Sequence, residues 1–228
     1  MEAYVSLAAG IVTNGEMMKN IFLFLTLSFT SIAFAGSHGK GMHSEGHGSG
    51  GKYTVTYEIL DNSWDSGVNT VVGATLDEDD SGYGIVLGYD LGNHLMIEAG
   101  YKDFGEASLS GVSGNTFNYG GASYTFDATA NAVFEADSLS IGLKKSFSIA
   151  DNISAFGRIG IHRWEANVSA ATATASADSS SKNEDMYYGY GIAYEMGNIS
   201  LNLSRDKYDL EYDEVDSTAF SLSYNLAF

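Results

Sequence analysis

The chain has 228 residues, 27 glycines, 15 tyrosines, no cysteine, no proline and a formal net charge of −18. Without cysteine there is no disulfide framework, thiolate nucleophile or cysteine metal site, and so negative a chain does not offer the basic face that nucleic-acid phosphates need. Glycine and aromatics without proline favour strands with tight turns, in one domain large enough to bury a core or close a barrel.

Lys19 and Asn20 follow Met18 and precede the apolar run "IFLFLTLSFTSIAF" (21–34), which ends in the small-x-small site Ala33-Phe34-Ala35. This reads as a secretory signal cleaved after Ala35, with Met18 the expected start and residues 1–17 an upstream extension. The run is too short for a membrane-spanning helix, which needs about 20 residues. Residues 36–51, "GSHGKGMHSEGHGSGG", are too poor in apolar side chains to fold and read as a disordered leader. Its histidines, His38, His43 and His47, sit on a glycine backbone that does not preorganise a metal site.

From Lys52 onward no segment sustains a 3.6-residue period, whereas period two recurs eight times. The segments are "KYTVTYEIL" (52–60), "SGYGIVLGYD" (81–90), "HLMIEAGYKDF" (94–104), about 135–147, "ISAFGRIGIHRW" (153–164), "MYYGYGIAYEM" (186–196), 199–206 and 219–228. One face of each is apolar, as with Tyr53, Val55, Tyr57 and Ile59, or Phe220, Leu222, Tyr224, Leu226 and Phe228. The other face holds glycine and serine, and also Glu58, Glu98, Lys102, Lys144, Arg158, His162, Glu195 and Asp206.

Segments of this length suit tilted strands crossing a bilayer, and the tyrosines near their ends suit interfacial girdles. Short connections at 91–93, 149–152 and 197–198 alternate with long ones at about 61–80, 105–134, 165–185 and 210–217. That alternation is what eight strands with both termini on one side of a membrane require. Interior charge is tolerable in a lumen and costly in a sandwich core. The expected fold is therefore all-β: an eight-stranded antiparallel transmembrane β-barrel of up-and-down topology over 52–228.

Two stretches, "LDEDDSGYGIVLGYDLGNHLMIEAGYKDFGEASLSG" (76–111) and "FGRIGIHRWEANVSA" (156–170), resemble the opacity-type outer membrane barrels, relatives of the transmembrane domain of outer membrane protein A. The resemblance implies the outer membrane of a Gram-negative bacterium, with termini in the periplasm and long loops outside the cell. It implies membrane lipids and lipopolysaccharide as surroundings, and an assembly signal at Phe228, with Leu226 and Tyr224 on its face, for the barrel assembly machinery. It brings no cofactor and no metal. Nothing follows Phe228, so the peptidoglycan-binding domain of outer membrane protein A is not expected here. In that relative the seventh strand gives an arginine and a glutamate to an interior network, and here Asn202 and Ser204 hold what look like those places.

An eight-stranded barrel is only wide enough for its own side chains, which excludes a wide pore. Glu58, Glu98, Lys102, Lys144, Arg158, His162, Glu195 and Asp206 are expected to form a lumenal polar network, pairing statically or gating a narrow leak. Acids gather at Asp77, Glu78, Asp79 and Asp80, at Glu184 and Asp185, and at Asp209, Glu211, Asp213, Glu214 and Asp216. "DEDDSG" lacks the ligand spacing of an EF-hand loop, so solvated charge is the expected reading and a divalent-cation site the alternative. His162 with Glu165 is the hydrolytic candidate, but an inward position beside Arg158 makes it a packed histidine and the chain no enzyme. The small-residue runs 108–131 and 169–182 are expected either to extend the strands as hairpins or to be mobile loops open to an extracellular ligand. A structural or surface-interacting role is expected first, narrow porin-like permeability second and lipid-directed catalysis third.

Overall fold

The computed structural model describes residues 53–210 and 213–226. The signal segment, the leader and Phe228 lie outside the described residues. In chain order the strands are β1 (Tyr53–Asp65), β2 (Asn69–Val72), β3 (Thr75–Asp77), β4 (Asp79–Gly92), β5 (Leu95–Gly111), β6 (Thr116–Tyr119), β7 (Ala122–Thr125), β8 (Ala130–Ala150), β9 (Ile153–Thr172), β10 (Ser176–Met196), β11 (Ile199–Leu210) and β12 (Asp213–Leu226).

Eight of them close an antiparallel ring, in which β1, β4, β5, β8, β9, β10, β11 and β12 each pair with the next and β12 pairs back to β1. Neighbours in sequence are neighbours in the ring, which is the up-and-down arrangement. Of the remaining strands, β3 adds to the free side of β5, while β2, β6 and β7 make a small separate sheet.

Period two in the sequence becomes inside and outside in the ring. Glu58, Leu60, Asn62 and Trp64 of β1 are buried, whereas Tyr53, Val55, Tyr57 and Ile59 are exposed on the outer surface. Every barrel strand repeats this, so the outer surface is a continuous belt of Tyr, Ile, Leu, Val and Phe. Monomers in water rarely expose an apolar patch above about 600 Å², so a belt around the whole circumference calls for a hydrocarbon solvent. At one edge of the belt the outward residue turns from apolar to charged within one step of the pleat: Ile59 to Asp61, Tyr101 to Asp103, Leu139 to Asp137, Met186 to Glu184.

Turn chemistry closes the short ends. Asn93 and His94 both have positive φ, 54° and 59°, the mirror-image two-residue turn whose twist matches the flanking strands. Gly105, at φ 73°, carries a bulge where the β5–β8 register shifts between Asp103 and Glu106. Its amide donates to Asp103 Oδ1 at 3.0 Å, and Asp80 Oδ2 accepts from the Glu106 amide at 2.8 Å.

The strands outrun the sequence expectation at the opposite end. β8 starts at Ala130 and the β9–β10 hairpin is paired out to Ala171 and Ser176, so most of the connections expected at 105–134 and 165–185 is strand. Ala, Ser and Thr runs have no apolar alternation to announce a strand, but they contain no proline and their neighbours supply a hydrogen-bonding edge. β11 and β12 stay short. One side of the barrel, β5 to β10, therefore rises above the other.

Inside, bulk and its absence are matched across strands. Tyr187 of β10 lies where Gly142 and Gly160 carry no side chain, and a Cβ on Gly160 would run into the Tyr187 ring and the Ile141 carbonyl. Gly157, on the outer face, has only the Gly189 carbonyl oxygen near such a Cβ, at 3.9 Å. Gly160→Ala is accordingly expected to lower the unfolding free energy of the vesicle-refolded barrel by about 1–3 kcal/mol, the usual cost of overpacking. Gly157→Ala is expected to leave it unchanged. Equal urea midpoints for the two variants would contradict this account of the interior.

Candidate functional site

The interior is layered. Nearest the short turns it is a neutral polar layer: Thr54 Oγ1 donates to Asn225 Oδ1 at 2.8 Å, Thr56 and Ser223 share a hydrogen bond of 2.7 Å, and Asn202 Nδ2 donates to Ser223 Oγ at 2.9 Å.

The middle layer is ionic, and Arg158 of β9 is its centre. Its Nε donates to Asp206 Oδ1 at 2.5 Å and its Nη2 to Asp206 Oδ2, a fork-on-fork pair with β11. Nη1 reaches Glu58 Oε1 of β1 at 3.2 Å and lies 4.0 Å from Glu98 Oε2 of β5. Ser204 Oγ accepts from Nη2 and donates to Asp206 Oδ2, both at 3.1 Å. Lys102 Nζ is 2.5 Å from Glu58 Oε2, placed for charge attraction without an aligned hydrogen bond, and 4.0 Å from Asp206. Lys144 Nζ stands 3.7 Å from Glu98 and 4.1 Å above the Phe156 ring.

Two glycines let these side chains meet. In register, Gly84 of β4 lies between Glu58 and Lys102, and Gly189 of β10 lies between Arg158 and Asp206. A Cβ on Gly84 would be 2.9 Å from Glu58 Oε2, and one on Gly189 would overlap the Asp206 carboxylate. The cluster holds three carboxylates, Glu58, Glu98 and Asp206, and three cations, Lys102, Lys144 and Arg158, so it is neutral overall.

Above the ions lies an apolar layer of Leu60, Trp64, Phe104, Trp164, Tyr187, Tyr208, Leu210 and Val215. Tyr208 stacks on Tyr187 at 5.2 Å, packs against Phe104 at 4.9 Å, and takes the Lys102 ammonium over its face at 5.3 Å. Only Trp164 and Tyr187 were legible as inward aromatics. Leu60 and Phe104 are the last residues of the expected segments 52–60 and 94–104, while Trp64, Tyr208, Leu210 and Val215 lie beyond the expected strand ends, as where the alternation Asn202, Ser204, Asp206 runs on to Tyr208 and Leu210.

The structure brings together six of the eight candidate residues. His162 is buried one layer higher, with Nδ1 3.0 Å from Ser138 Oγ and Nε2 2.9 Å from the Asp209 carbonyl. Because a carbonyl only accepts, Nε2 carries the proton and Nδ1 accepts from Ser138. Glu165 points to the other face of β9 and pairs with Lys182 at 2.6 Å, so it does not reach His162 and the hydrolytic pairing is not formed. Glu195 is exposed at the short-turn rim and joins none of the cluster's ion pairs, because β10 leaves the ionic layer three pleats earlier, at Gly189. Asn202 and Ser204 do face inward, and the carboxylate of that strand is supplied by Asp206. Among the described residues no group of acids and histidines is arranged to hold a metal ion.

A closed ring of eight strands, an apolar outside and a packed ionic inside meet in one comparison: the model of the OmpA-like transmembrane domain matches residues 54–209. The chain belongs to that family. It is an eight-stranded barrel of the bacterial outer membrane. Among solved structures it is similar to Ail, the attachment invasion locus protein of Yersinia pestis, at 15% identity and a TM-score of 0.50, over 78% of this chain and 99% of that one. It is also similar to the N-terminal β-barrel domain of OprF from Pseudomonas aeruginosa, at 14% identity and a TM-score of 0.46, over 78% of this chain and 100% of that one. A search of curated protein sequences returns no match.

At the tall end of this OmpA-like barrel, the half-buried Asp213 carboxyl is pushed up from 3.8 to about 6, first by burial and then by the charges of Asp65 and Glu78. A carboxyl raised in the folded state binds its proton more tightly there, so stability falls as pH climbs from about 4 through 6. Asp213→Asn is thus expected to raise the unfolding midpoint above pH 6 and to leave it unchanged below pH 3.8. Within the cluster, Asp206→Asn strands the buried Arg158 charge and is expected to cost about 3–5 kcal/mol. Glu98→Gln, which loses only contacts of 3.7 and 4.0 Å, is expected to cost less. Urea unfolding in lipid vesicles ranks the two, and a reversed order would contradict the geometry.

Proposed function

We propose that this barrel is a non-conducting, non-enzymatic outer membrane protein that works at the cell surface, with its long-loop end outside the cell and its termini in the periplasm. The supporting observation is the filled interior. Bordering the charged layer, beside Glu58, Glu98, Lys144 and Arg158, is a cavity of about 10 Å³, room for one water at most. Directly above it the interior is closed by the packed rings of Trp64, Phe104, Trp164, Tyr187 and Tyr208. Neutral charge balance removes the usual basis for selecting anions or cations, and burying further charge beside six paired ones has no solvation to repay it.

Narrow conduction, the second reading, rests on the same charged residues opening as a gate. Planar-bilayer recording separates the two. The wild-type barrel is expected to show no conductance steps, and Trp64→Ala with Tyr208→Ala is expected to introduce them by opening the aromatic layer. Steps in the wild type that change with Lys102→Ala would favour the gate. Surface orientation is supported by the height of the β8–β9–β10 wall and by the acids concentrated there, and a protease-accessible tag at Ser180 in whole cells tests it. In that orientation the apolar belt meets outer membrane lipids, its charged edge meets lipopolysaccharide, and Tyr224 and Leu226 on β12 face lipid where the assembly machinery would engage them.

A further inference from the structure

The expected cleavage after Ala35 makes Gly36-Ser37-His38 the first three residues of the mature protein. A free amino terminus with histidine in third place carries a complete set of four nitrogen donors. They are the α-amine of Gly36, the backbone nitrogens of Ser37 and His38, and Nδ1 of the His38 imidazole. Consecutive covalent bonds link them, so each donor closes a small chelate ring on the one before, and the imidazole closes the last.

Such a chelate asks nothing of the fold. His43 and His47 would have to be brought together across intervening residues by a backbone that does not hold them. In the terminal tripeptide the donors are neighbours by connection alone. Its second residue must carry an N–H, which Ser37 does and a proline would not. Cleavage one residue earlier or later would leave His38 in fourth or second place and break the set.

Amide nitrogens bind a metal only after losing their protons, and this selects the ion. Four nitrogens in a plane suit Cu(II) and Ni(II), and Cu(II) stands highest in the divalent order of affinity. Zn(II), which has no geometric preference of its own and is held tetrahedrally, gains too little to offset amide deprotonation. Binding one Cu(II) releases both amide protons, and a third wherever the amine is charged, so the metal and its two amide anions are neutral together.

The barrel offers this site no rival. The chain has no cysteine to hold or reduce the metal. Of the two barrel histidines, His162 is buried with both ring nitrogens in hydrogen bonds, and His94 is a single exposed imidazole. Among the described residues no acids and histidines are grouped to hold a metal ion. β1 opens at Tyr53, opposite Tyr89 and Leu226 beside the short turns, so residues 36–52 join the barrel at that end. We propose that the mature amino terminus, Gly36-Ser37-His38, is a square-planar site for Cu(II), with Ni(II) second, and that the barrel anchors it to the membrane. It rests on cleavage after Ala35, and on neither the surface role nor the closed interior proposed above.

The test uses mature protein purified from outer membranes, its amino terminus fixed by mass spectrometry, and titrated with copper sulfate near neutral pH. One equivalent is expected to bind with a violet d–d band, at shorter wavelength than imidazole and carboxylate donors give, and to resist excess Zn(II). His38→Ala and acetylation of the terminal amine are each expected to abolish the band, whereas His43→Ala with His47→Ala leaves it. An alanine inserted between Gly36 and Ser37 keeps every imidazole but moves the histidine to fourth place, and is expected to abolish the band too. All these changes precede β1, and an unaltered heat-shifted band shows the barrel intact. An amino terminus other than Gly36, a violet band that survives acetylation or the insertion, its loss with His43 and His47, or release of the metal by Zn(II) would overturn the proposal.

Discussion

Closure of the backbone is the constraint from which the rest follows. In hydrocarbon every peptide N–H and C=O must find a partner within the protein, and a ring of strands does this with no edge left over. Eight strands fix the width of the ring, and the width fixes what its inside can be. Beside the charges there is room for one water at most, so the polar groups that point inward must largely satisfy one another. The three carboxylates and three cations around Arg158 do so by count, by distance and by the hydroxyl of Ser204, which accepts a further hydrogen bond from the guanidinium.

The same narrowness explains the glycines. A long cation and a long carboxylate can meet across an intervening strand only if that strand presents no side chain, and Gly84 and Gly189 meet that condition for Glu58 with Lys102 and for Arg158 with Asp206. Both glycines are visible in the sequence as members of an inward face. Their function is not, because it depends on which residue of the next strand stands opposite. A slip of register by one residue would put Arg158 beside Tyr190 instead.

This marks where the sequence was legible. Period two, loop lengths and the girdle tyrosines gave the ring, its strand count and the inward set, since they report directly on one side of each strand. Asp206 was legible because it falls on the polar beat of its segment. Tyr208, Trp64 and Phe104 were not singled out, since the aromatic layer uses large residues on the beat that elsewhere carries serine and glycine, where composition points the other way. Glu195 misled for the opposite reason: it keeps the beat but lies past the height at which its strand meets the charges. The tall hairpin, written in alanine, serine and threonine, has no amphipathic signature at all. Its order comes from the neighbour's edge and not from its own side chains.

The ion cluster also says something about how the ring comes together. Arg158 is 100 residues from Glu58 and 48 from Asp206 along the chain. Hairpins between successive strands can form early and locally, but the guanidinium has both its partners only once the first, fifth and seventh barrel strands share one interior. Contacts of such separation form late and set slow rates. Until then each of these charges must stay hydrated. Water leaves the interior as the last seam between β1 and β12 shuts, and the cluster acts less as a scaffold for assembly than as a latch that engages when assembly is done.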